Sequence, residues 1–507
     1  MSATETYDLC IVGGGVNGCG IARDAAGRGL SVYLCEMNDL AQATSSSSTK
    51  LFHGGLRYLE NYEFRMVRES LIEREILLKA MPHISWPLRF VLPHHKGLRP
   101  AWLLRLGLFI YDNLGGRKIL PGTRTLDLKN DAAGKPLKKS FTKAFEYSDC
   151  WVEDSRLVVL NARDAAERGA QVETRTRFAS ADVVDGVWQV DVESAEYGSR
   201  KIHAKAIVNA GGPWAEMVAR NGVRQNMPEK LRLVRGSHIV VRKLFDHDKC
   251  YIFQHSDGRI VFAIPYETDF TLIGTTDAEH LGDPSDAVCT PEEADYLRSL
   301  ASEYFETPIG ADEIVWTYSG VRPLVDDGSA SASKATRDYI LKLETDRGAP
   351  LLNIFGGKIT TYRKLAEEAI AELQTVFPTF RAPWTAGVTL PGGDFEVSEF
   401  ERLCSELDAA APWLGPKTAR RLVRAYGTEA RKLIGDAAGP ADLGEDFGEG
   451  LTEAELRHLI EKEWARSADD VLWRRSKLGL RLNEEQKQQL KIWMEEAVAG
   501  QGQQAAE

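Results

Sequence analysis

Gly13-Gly14-Gly15-Val16-Asn17-Gly18 is a G-x-G-x-x-G sequence, and Glu36 follows its first glycine by 23 residues. In this pattern Gly13 permits a tight turn, Gly15 lets a pyrophosphate approach the backbone, and Gly18 lets a helix pack closely on a strand. Free N–H groups at a helix start then face the phosphates, and an acid at the position of Glu36 accepts hydrogen bonds from an adenosine ribose. The surrounding elements suit the motif. Tyr7 to Val12 reads as a short buried strand. Ile21, Ala22, Ala25 and Ala26 give a helical pattern stopped at Gly27-Arg28-Gly29, and Ser31 to Cys35 reads as a second strand. Strand, glycine turn, helix, strand and acid in that order predict a dinucleotide site, with Gly13, Gly15, Asn17, Gly18 and Glu36 in contact with the ligand.

Further segments bear on which dinucleotide. The hydroxyl-rich run Thr44-Ser45-Ser46-Ser47-Ser48-Thr49-Lys50 leads straight into Leu51-Phe52-His53-Gly54-Gly55-Leu56-Arg57-Tyr58. A buried strand from Ile207 ends in the glycine turn Ala210-Gly211-Gly212-Pro213-Trp214, and Ile354-Phe355-Gly356-Gly357-Lys358-Ile359-Thr360-Thr361 joins a strand to a helix starting near Tyr362. That helix N-terminus could stabilise negative charge on a flavin ring. No second G-x-G-x-x-G is present for a separate nicotinamide cofactor. One nucleotide motif with supporting segments spread along the chain predicts a tightly held flavin. The expected contacts are Thr44, Ser45, Ser46, Lys50, His53, Gly54, Gly55, Leu56, Ala210, Gly211, Trp214, Gly357, Lys358, Thr360 and Thr361.

The bulk properties fit a soluble globular protein of roughly three domains. The 507 residues are 43% hydrophobic and 27% charged, and no apolar stretch reaches the roughly 18 residues of a spanning helix. Met1 to Asp8 lacks the basic and apolar regions of a secretory signal. The seven cysteines are widely spaced and include no C-x-x-C pair, which predicts free thiols, a reducing cytoplasmic compartment and no metal site. A net charge of −11 argues against nucleic-acid binding. The balance is uneven, however, with twelve Lys and Arg against three Asp and Glu between Ser85 and Phe145.

The blocks G-G-G-V-N-G, S-S-S-S-T-K-L-F-H-G-G-L-R-Y-L-E, F-E-Y-S-D-C-W-V, R-G-S-H-I-V-V, V-W-T-Y-S-G-V-R-P-L and F-G-G-K-I-T-T-Y-R-K-L-A-E, with a late S-A-D-D-V-L-W-R-R, closely resemble the FAD-dependent glycerol-3-phosphate dehydrogenases over essentially the whole chain. One departure is Gly211, where the family pattern has Thr. The resemblance implies an α/β fold: a Rossmann-like FAD-binding domain, an antiparallel β-sheet substrate cap of the D-amino-acid-oxidase type, and a C-terminal helical domain. The expected segments are 1–80, 150–225 and 318–388 for FAD, 81–149 for cap and a candidate membrane contact, 226–317 for the cap sheet, and 389–507 for the helical domain. Within the cap, strands are expected at Leu231 to Arg242, Tyr251 to Gln254, Arg259 to Pro265 and Phe270 to Thr275. Helices are expected at Leu451 to Arg466, Asp469 to Leu478 and Asn483 to Ala497.

The implied reaction is oxidation of sn-glycerol 3-phosphate to dihydroxyacetone phosphate, with hydride passing to FAD and electrons on to a membrane quinone. Such chemistry needs a phosphate anchor, an aimed C2 hydrogen and a base. Arginine suits the first task because its planar fork binds phosphate in a bidentate way. Arg57, Arg322 and Arg337 stand in the blocks used around the substrate, with Tyr58, His238, Lys358 and Thr360 beside them and Gly320 against the flavin. Arg337 neighbours Asp338, with which it could simply pair. His238 is the first candidate base and His53 the rival, while Lys358 and Arg322 supply positive charge at the reacting centre. The resemblance further implies a homodimer held peripherally at the cytoplasmic membrane. Leu98 to Tyr111 joins a large apolar face to basic flanks, as an interfacial helix does, although a helix of the cap core would look similar. A glycerol-3-phosphate oxidase, which passes electrons to oxygen, is the nearest alternative, but no segment looks like the insertion those oxidases carry. A flavin-bearing sensor lacks any need for a phosphate clamp, and an NAD-dependent dehydrogenase would carry no yellow chromophore.

Overall fold

The computed structural model describes residues 6–196, 198–224, 230–255, 258–326, 338–377 and 380–506. Among these residues the chain forms two β-sheets and a separate helical region. The first sheet runs in the order Tyr339–Glu344, Leu351–Gly356, Gly198–Asn209, Thr6–Val12, Val32–Cys35 and Gln171–Glu173, with the hairpin Thr176–Val184 and Val187–Ser194 attached to Gly198–Asn209. Its centre is parallel: Thr6–Val12 lies between Val32–Cys35 and Gly198–Asn209, which in turn pairs with Leu351–Gly356. The central strand alternates faces in the way a twofold side-chain period requires. Leu9 and Ile11 pack with Ile21, Ala25 and Ile370 from the helices Val16–Gly27 and Tyr362–Leu373, while Cys10 and Val12 pack with Trp188 and Val190 of the hairpin. Both faces are covered, so the strand reads as continuously apolar.

The second sheet is antiparallel apart from one pair of strands. Leu231–Arg242 lies between Ile314–Val325 and Phe270–Gly274, and the sheet continues through Ile260–Tyr266 and Cys250–Gln254 to Ser85–Pro93 and Lys143–Val152. The four strands expected between 231 and 275 are present within a residue or two. Three strands of the 81–149 segment were not anticipated: Ser85–Pro93, Arg124–Asp127 and Lys143–Val152. The expected boundaries at 149/150 and 317/318 fall inside strands, because Lys143–Val152 and Ile314–Val325 keep their sheet partners on both sides of those points. Hydrogen-bond pairing, rather than the position of a motif, decides which layer a residue joins.

After residue 390 the chain is helical: Phe400–Ala410, Gly415–Tyr426, Glu453–Glu463 and Glu484–Ala506 surround a core that includes Leu422, Tyr426, Ile460, Leu490 and Met494. The helix expected from Asp469 to Leu478 is a single wide turn, Asp470–Arg475, followed by a short 3₁₀ turn at Leu478–Leu480.

Candidate active site

The carboxyl ends of Thr6–Val12, Gly198–Asn209 and Leu351–Gly356 open onto one crevice, the position where parallel sheets of this kind bind ligands. Gly13 has φ +113°, and a Cβ there would stand 2.5 Å from the Ala210 carbonyl oxygen. A Cβ on Gly18 would collide with the Gly13 carbonyl oxygen, so turn, helix and the adjoining strand end close up only around bare backbone. The helix Val16–Gly27 starts at Gly15 with no side-chain cap of its own, and Ser45 Oγ accepts from the Val16 N–H at 3.0 Å. Glu36 accepts from the Gly14 N–H at 2.7 Å and the Asn38 N–H at 2.8 Å, and burial raises its pKa. Asn17 donates to the Gly356 carbonyl at 3.4 Å, while its Oδ1 is buried with no partner among the described residues. Asn209 Nδ2 donates to Asn353 Oδ1 and to the Ala215 carbonyl, both at 2.8 Å, and its own Oδ1 accepts from the Gly211 N–H at 3.2 Å. These bonds fix the turn that leads to the half-buried Trp214.

A second group gathers around the glycine pair 54–55. The His53 N–H donates to Thr360 Oγ1 at 3.2 Å, and Lys358 Nζ lies 3.9 Å from the centroid of the Tyr58 ring. Gly55 takes a left-handed conformation, φ +79°, to start the turn Leu56–Asn61 that carries Arg57 and Tyr58. Gly356 and Gly357 do the same, φ +71° and +98°, ahead of Lys358, and Thr361 leads into the helix Tyr362–Leu373. Gly54 is pinned from below by residues that sequence reasoning missed. Its N–H donates to Tyr111 Oη at 2.8 Å and to Asp149 Oδ1 at 3.2 Å, and the buried Arg74 guanidinium pairs with the same carboxylate. Burial raises the Asp149 pKa despite that pairing. Arg57 is half-buried and has no ion-pair partner among the described residues.

The third group lies on one face of the cap sheet, where Gly236 faces Gly320 and His238 faces Tyr318 across paired strands. A Cβ on Gly320 would stand 2.6 Å from Ser47 Cβ, so the hydroxyl-rich loop lies directly on this bare patch, tied also by Thr44 Oγ1 to the Val321 carbonyl at 2.6 Å. Arg322 pairs with Asp277 and donates to Thr275 Oγ1 at 3.0 Å and the Thr276 carbonyl at 3.1 Å. It stands at the site, but part of its charge is already balanced. A cavity of about 220 Å³ opens beside Ser46 and Ser47, where Trp316 and Tyr318 of the cap meet Trp473 and Lys477 of the helical domain.

Two of the expected site residues are fully enclosed by protein. Lys50 is fully buried, and its ammonium is spent on Asp154 (2.8 and 2.9 Å) and the Ser46 carbonyl (3.0 Å). It braces the loop from behind instead of facing the crevice, because a cation so far from water is held only where a carboxylate meets it. His238, 1% exposed, is sandwiched between the Tyr318 ring (centroids 4.7 Å apart) and Gly274, and its Nε2 shares a 2.9 Å hydrogen bond with Thr49 Oγ1. Burial, then the charges of Arg322 and Lys50, hold its pKa well below the usual histidine range, so it is neutral. Arg337 lies outside the described residues.

The donor set fits FAD. The start of the helix Val16–Gly27, the bare glycine turn, the Glu36 carboxylate and the orphaned Asn17 Oδ1 would hold its pyrophosphate and ribose, and Asn17 ties this turn to Gly356, two residues before Lys358. Comparisons with known proteins agree with that fit. Residues 8–363 match the family described as FAD dependent oxidoreductase, and residues 383–498 match the C-terminal domain of alpha-glycerophosphate oxidase. The D-erythritol 1-phosphate dehydrogenase of Brucella abortus is 49% identical over 98% of this chain and 99% of its own. A glycerol-3-phosphate dehydrogenase of Pseudomonas aeruginosa is 51% identical over 96% of this chain and 94% of its own. The crystal structure of the glycerol-3-phosphate dehydrogenase of Bacillus halodurans complexed with FAD superposes with a TM-score of 0.79 at 28% identity, covering 98% of this chain and 91% of that one. The fold, the crevice and these likenesses together show that the chain is an FAD-dependent oxidoreductase of the glycerol-3-phosphate dehydrogenase family.

Proposed function

We propose that the protein oxidises sn-glycerol 3-phosphate to dihydroxyacetone phosphate and delivers the electrons to a membrane quinone. The observation that carries the substrate is the 51% identity, across nearly the whole of both chains, to a protein named for that activity. Bound FAD supplies the two-electron acceptor. Arg57 is the best-placed phosphate anchor, since no carboxylate among the described residues competes for it, and each charge-assisted hydrogen bond contributes about 1.5–3 kcal/mol. Arg322 adds a second positive edge, shared with Asp277. His53 is the better candidate to take the substrate hydroxyl proton, because His238 is closed off by Tyr318, Gly274 and Thr49. Lys358, above the Tyr58 ring, places positive charge beside His53 and Thr360, where charge develops as the proton leaves.

A longer polyol phosphate is the second reading, favoured by the 49% identity to a D-erythritol 1-phosphate dehydrogenase. Initial rates with an artificial electron acceptor, comparing glycerol 3-phosphate, D-erythritol 1-phosphate and glycerol, separate the two. A higher kcat/KM for glycerol 3-phosphate supports the proposal, and a higher value for the erythritol ester replaces it. Activity on glycerol alone would refute both. The acceptor is tested by supplying quinone or oxygen to the reduced enzyme, and rapid peroxide formation would favour an oxidase.

Quinone reduction requires membrane contact, and among the described residues no helix is long and apolar enough to cross a membrane. The helix Ala101–Leu114 instead displays Trp102, Leu106 and Phe109 to solvent (69, 48 and 63% exposed), spaced to share one face. Lys96, Arg99, Arg117 and Lys118 flank it and Arg105 lies within it, an arrangement suited to lying in an anionic bilayer surface at the cytoplasmic membrane. Cosedimentation with anionic vesicles at low salt is expected, and its absence would remove this part of the proposal. A homodimer is the assembly expected of the family and is tested by light scattering of the purified protein.

A further inference from the structure

The helical domain meets the rest of the chain through several buried ion pairs, and one group of them falls on the adenosine end of the crevice. The loop 36–42 begins at Glu36 and wraps the phosphate turn. The Ala41 N–H donates to the Gly14 carbonyl at 3.1 Å, and a Cβ on Gly14 would stand 2.8 Å from Glu36 Cβ and 3.0 Å from Leu40 Cδ2. Loop and turn therefore move together or not at all. Asp39, with no exposed surface, occupies the middle of that loop. Its carboxylate receives both arms of the Arg475 fork, at 2.7 and 2.8 Å, and Arg474 Nε at 2.6 Å. Both arginines come from the far end of the sequence, and Arg475 Nε is itself fixed by the Glu463 carbonyl at 3.1 Å.

The neighbouring residue is gripped as well. The Asn38 carbonyl accepts from the Arg175 N–H at 2.8 Å, and the Arg175 guanidinium reaches Asp470 at 2.5 Å. Asp470 also accepts from the Arg466 and Ser467 N–H groups, at 2.7 and 3.0 Å, and pairs with Arg474. Two acid–arginine contacts, the one at Asp39–Arg475 closed off from water and the one at Asp470–Arg175 partly open to it, thus join the helical domain to the residues that follow Glu36 by two and three positions. A planar guanidinium held at both ends fixes orientation as well as distance.

We propose that the Arg474–Arg475 pair is a cofactor-positioning clasp: by holding Asp39, the helical domain fixes the Glu36 loop and sets how long FAD stays bound. The proposal rests on the reading of Glu36 as the ribose acceptor. It gives the C-terminal domain a part in the cofactor site beyond its contacts with the cap.

Purified holoenzyme variants are diluted at a temperature well below melting, and FAD release is followed by the rise of free-flavin fluorescence. Arg475→Gln and Asp39→Asn should release FAD at least about tenfold faster than the parent, since the first strips the bidentate fork from buried Asp39 and leaves it Arg474 alone, and the second removes the carboxylate that both arginines share. Arg475→Lys, which keeps the charge and loses the fork, should fall between them and the parent. Arg474→Gln leaves the Arg475 fork in place and should give a smaller acceleration, which keeps the test open if Arg475→Gln does not fold. Arg481→Gln removes a different contact of the same domain, to Asp269 and Glu267 of the cap, and should leave release within about twofold of the parent. Equal acceleration by Arg481→Gln would show general loosening of the domain and overturn the clasp, as would parent-like release from Arg475→Gln and Arg474→Gln. Glu36→Gln should also speed release. If Arg475→Gln accelerates release and Glu36→Gln does not, the ribose reading of Glu36 fails and the proposed route through it falls with it.

Discussion

Replacing Lys50 by Met removes the ammonium that sits between the Asp154 carboxylate and the Ser46 carbonyl, with contacts of 2.8, 2.9 and 3.0 Å. Asp154 would keep three donors: Ser48 Oγ at 2.7 Å, the Ser48 N–H at 3.2 Å and the Ser155 N–H at 2.9 Å. Breaking a buried pair from one side costs about 3–5 kcal/mol, and these remaining bonds place Lys50→Met near the lower end. Asp154→Asn belongs near the upper end, because it leaves the ammonium buried with one carbonyl and puts an amide donor among groups that need an acceptor. The double variant Lys50→Met/Asp154→Leu should cost less than the single variants Lys50→Met and Asp154→Leu summed by about 2 kcal/mol, a coupling expected of residues in direct contact. Hydrogen exchange of amides 44–51 and 153–157 in the cofactor-free protein reads these values locally. A loss of about 3 kcal/mol appears there as roughly hundredfold faster exchange. If Lys50→Met left that protection within about threefold of the parent and weakened FAD binding all the same, Lys50 would be a cofactor ligand and the bracing role would be wrong.

Gly320→Ala pushes a methyl group to 2.6 Å from Ser47 Cβ, so the loop must retreat from the cap sheet; about 1–3 kcal/mol of destabilisation and a weaker FAD affinity are expected by thermal melting and flavin titration. His53→Asn should lower kcat steeply with little change in KM for glycerol 3-phosphate, whereas His238→Asn should chiefly lower the melting temperature; the reverse pattern in steady-state kinetics would restore His238 as the base. Burial, then the charges of Arg156, Arg424 and Arg163, push the His83 pKa down to about 3 from 6.5. The unfolded chain takes up that proton below pH 6.5 and the folded one does not, so stability falls as pH drops from 6.5 towards 3, by up to about 1.4 kcal/mol per pH unit. His83→Leu should flatten the melting temperature between pH 7 and 5 relative to the parent, and an unchanged slope would assign the acid sensitivity elsewhere.

The phosphate turn is legible in the sequence because its chemistry is local. Gly13 and Gly18 sit where a Cβ would strike backbone, Glu36 meets the same turn through its carboxylate, and all lie within one strand–helix–strand unit whose geometry the glycine spacing encodes. The cap strands from Leu231 to Gly274 are legible through alternation, but Ser85–Pro93 and Lys143–Val152 are not. Lys143–Val152 is buried on both faces from Ala144 onward, and Ser85–Pro93 contains Pro87 and closes with Pro93, residues that argue against a strand. His238 shows the limit for single residues. Its type and its block suggest a base, yet its access is decided by Tyr318 and Thr49, which reach it only through strand register and a distant loop. Asp149, Tyr111 and Arg74 under Gly54, and Arg475 on Asp39, are likewise partners separated by tens to hundreds of residues, and nothing in the local pattern of one names the other.

The central claim is a bound FAD that takes electrons from a phosphorylated polyol, and the visible spectrum of the purified protein without oxygen tests it most directly. Addition of glycerol 3-phosphate should bleach the flavin band near completely, D-erythritol 1-phosphate should do so more slowly, and glycerol should leave it unchanged. A flavin band untouched by either phosphate ester would contradict the account.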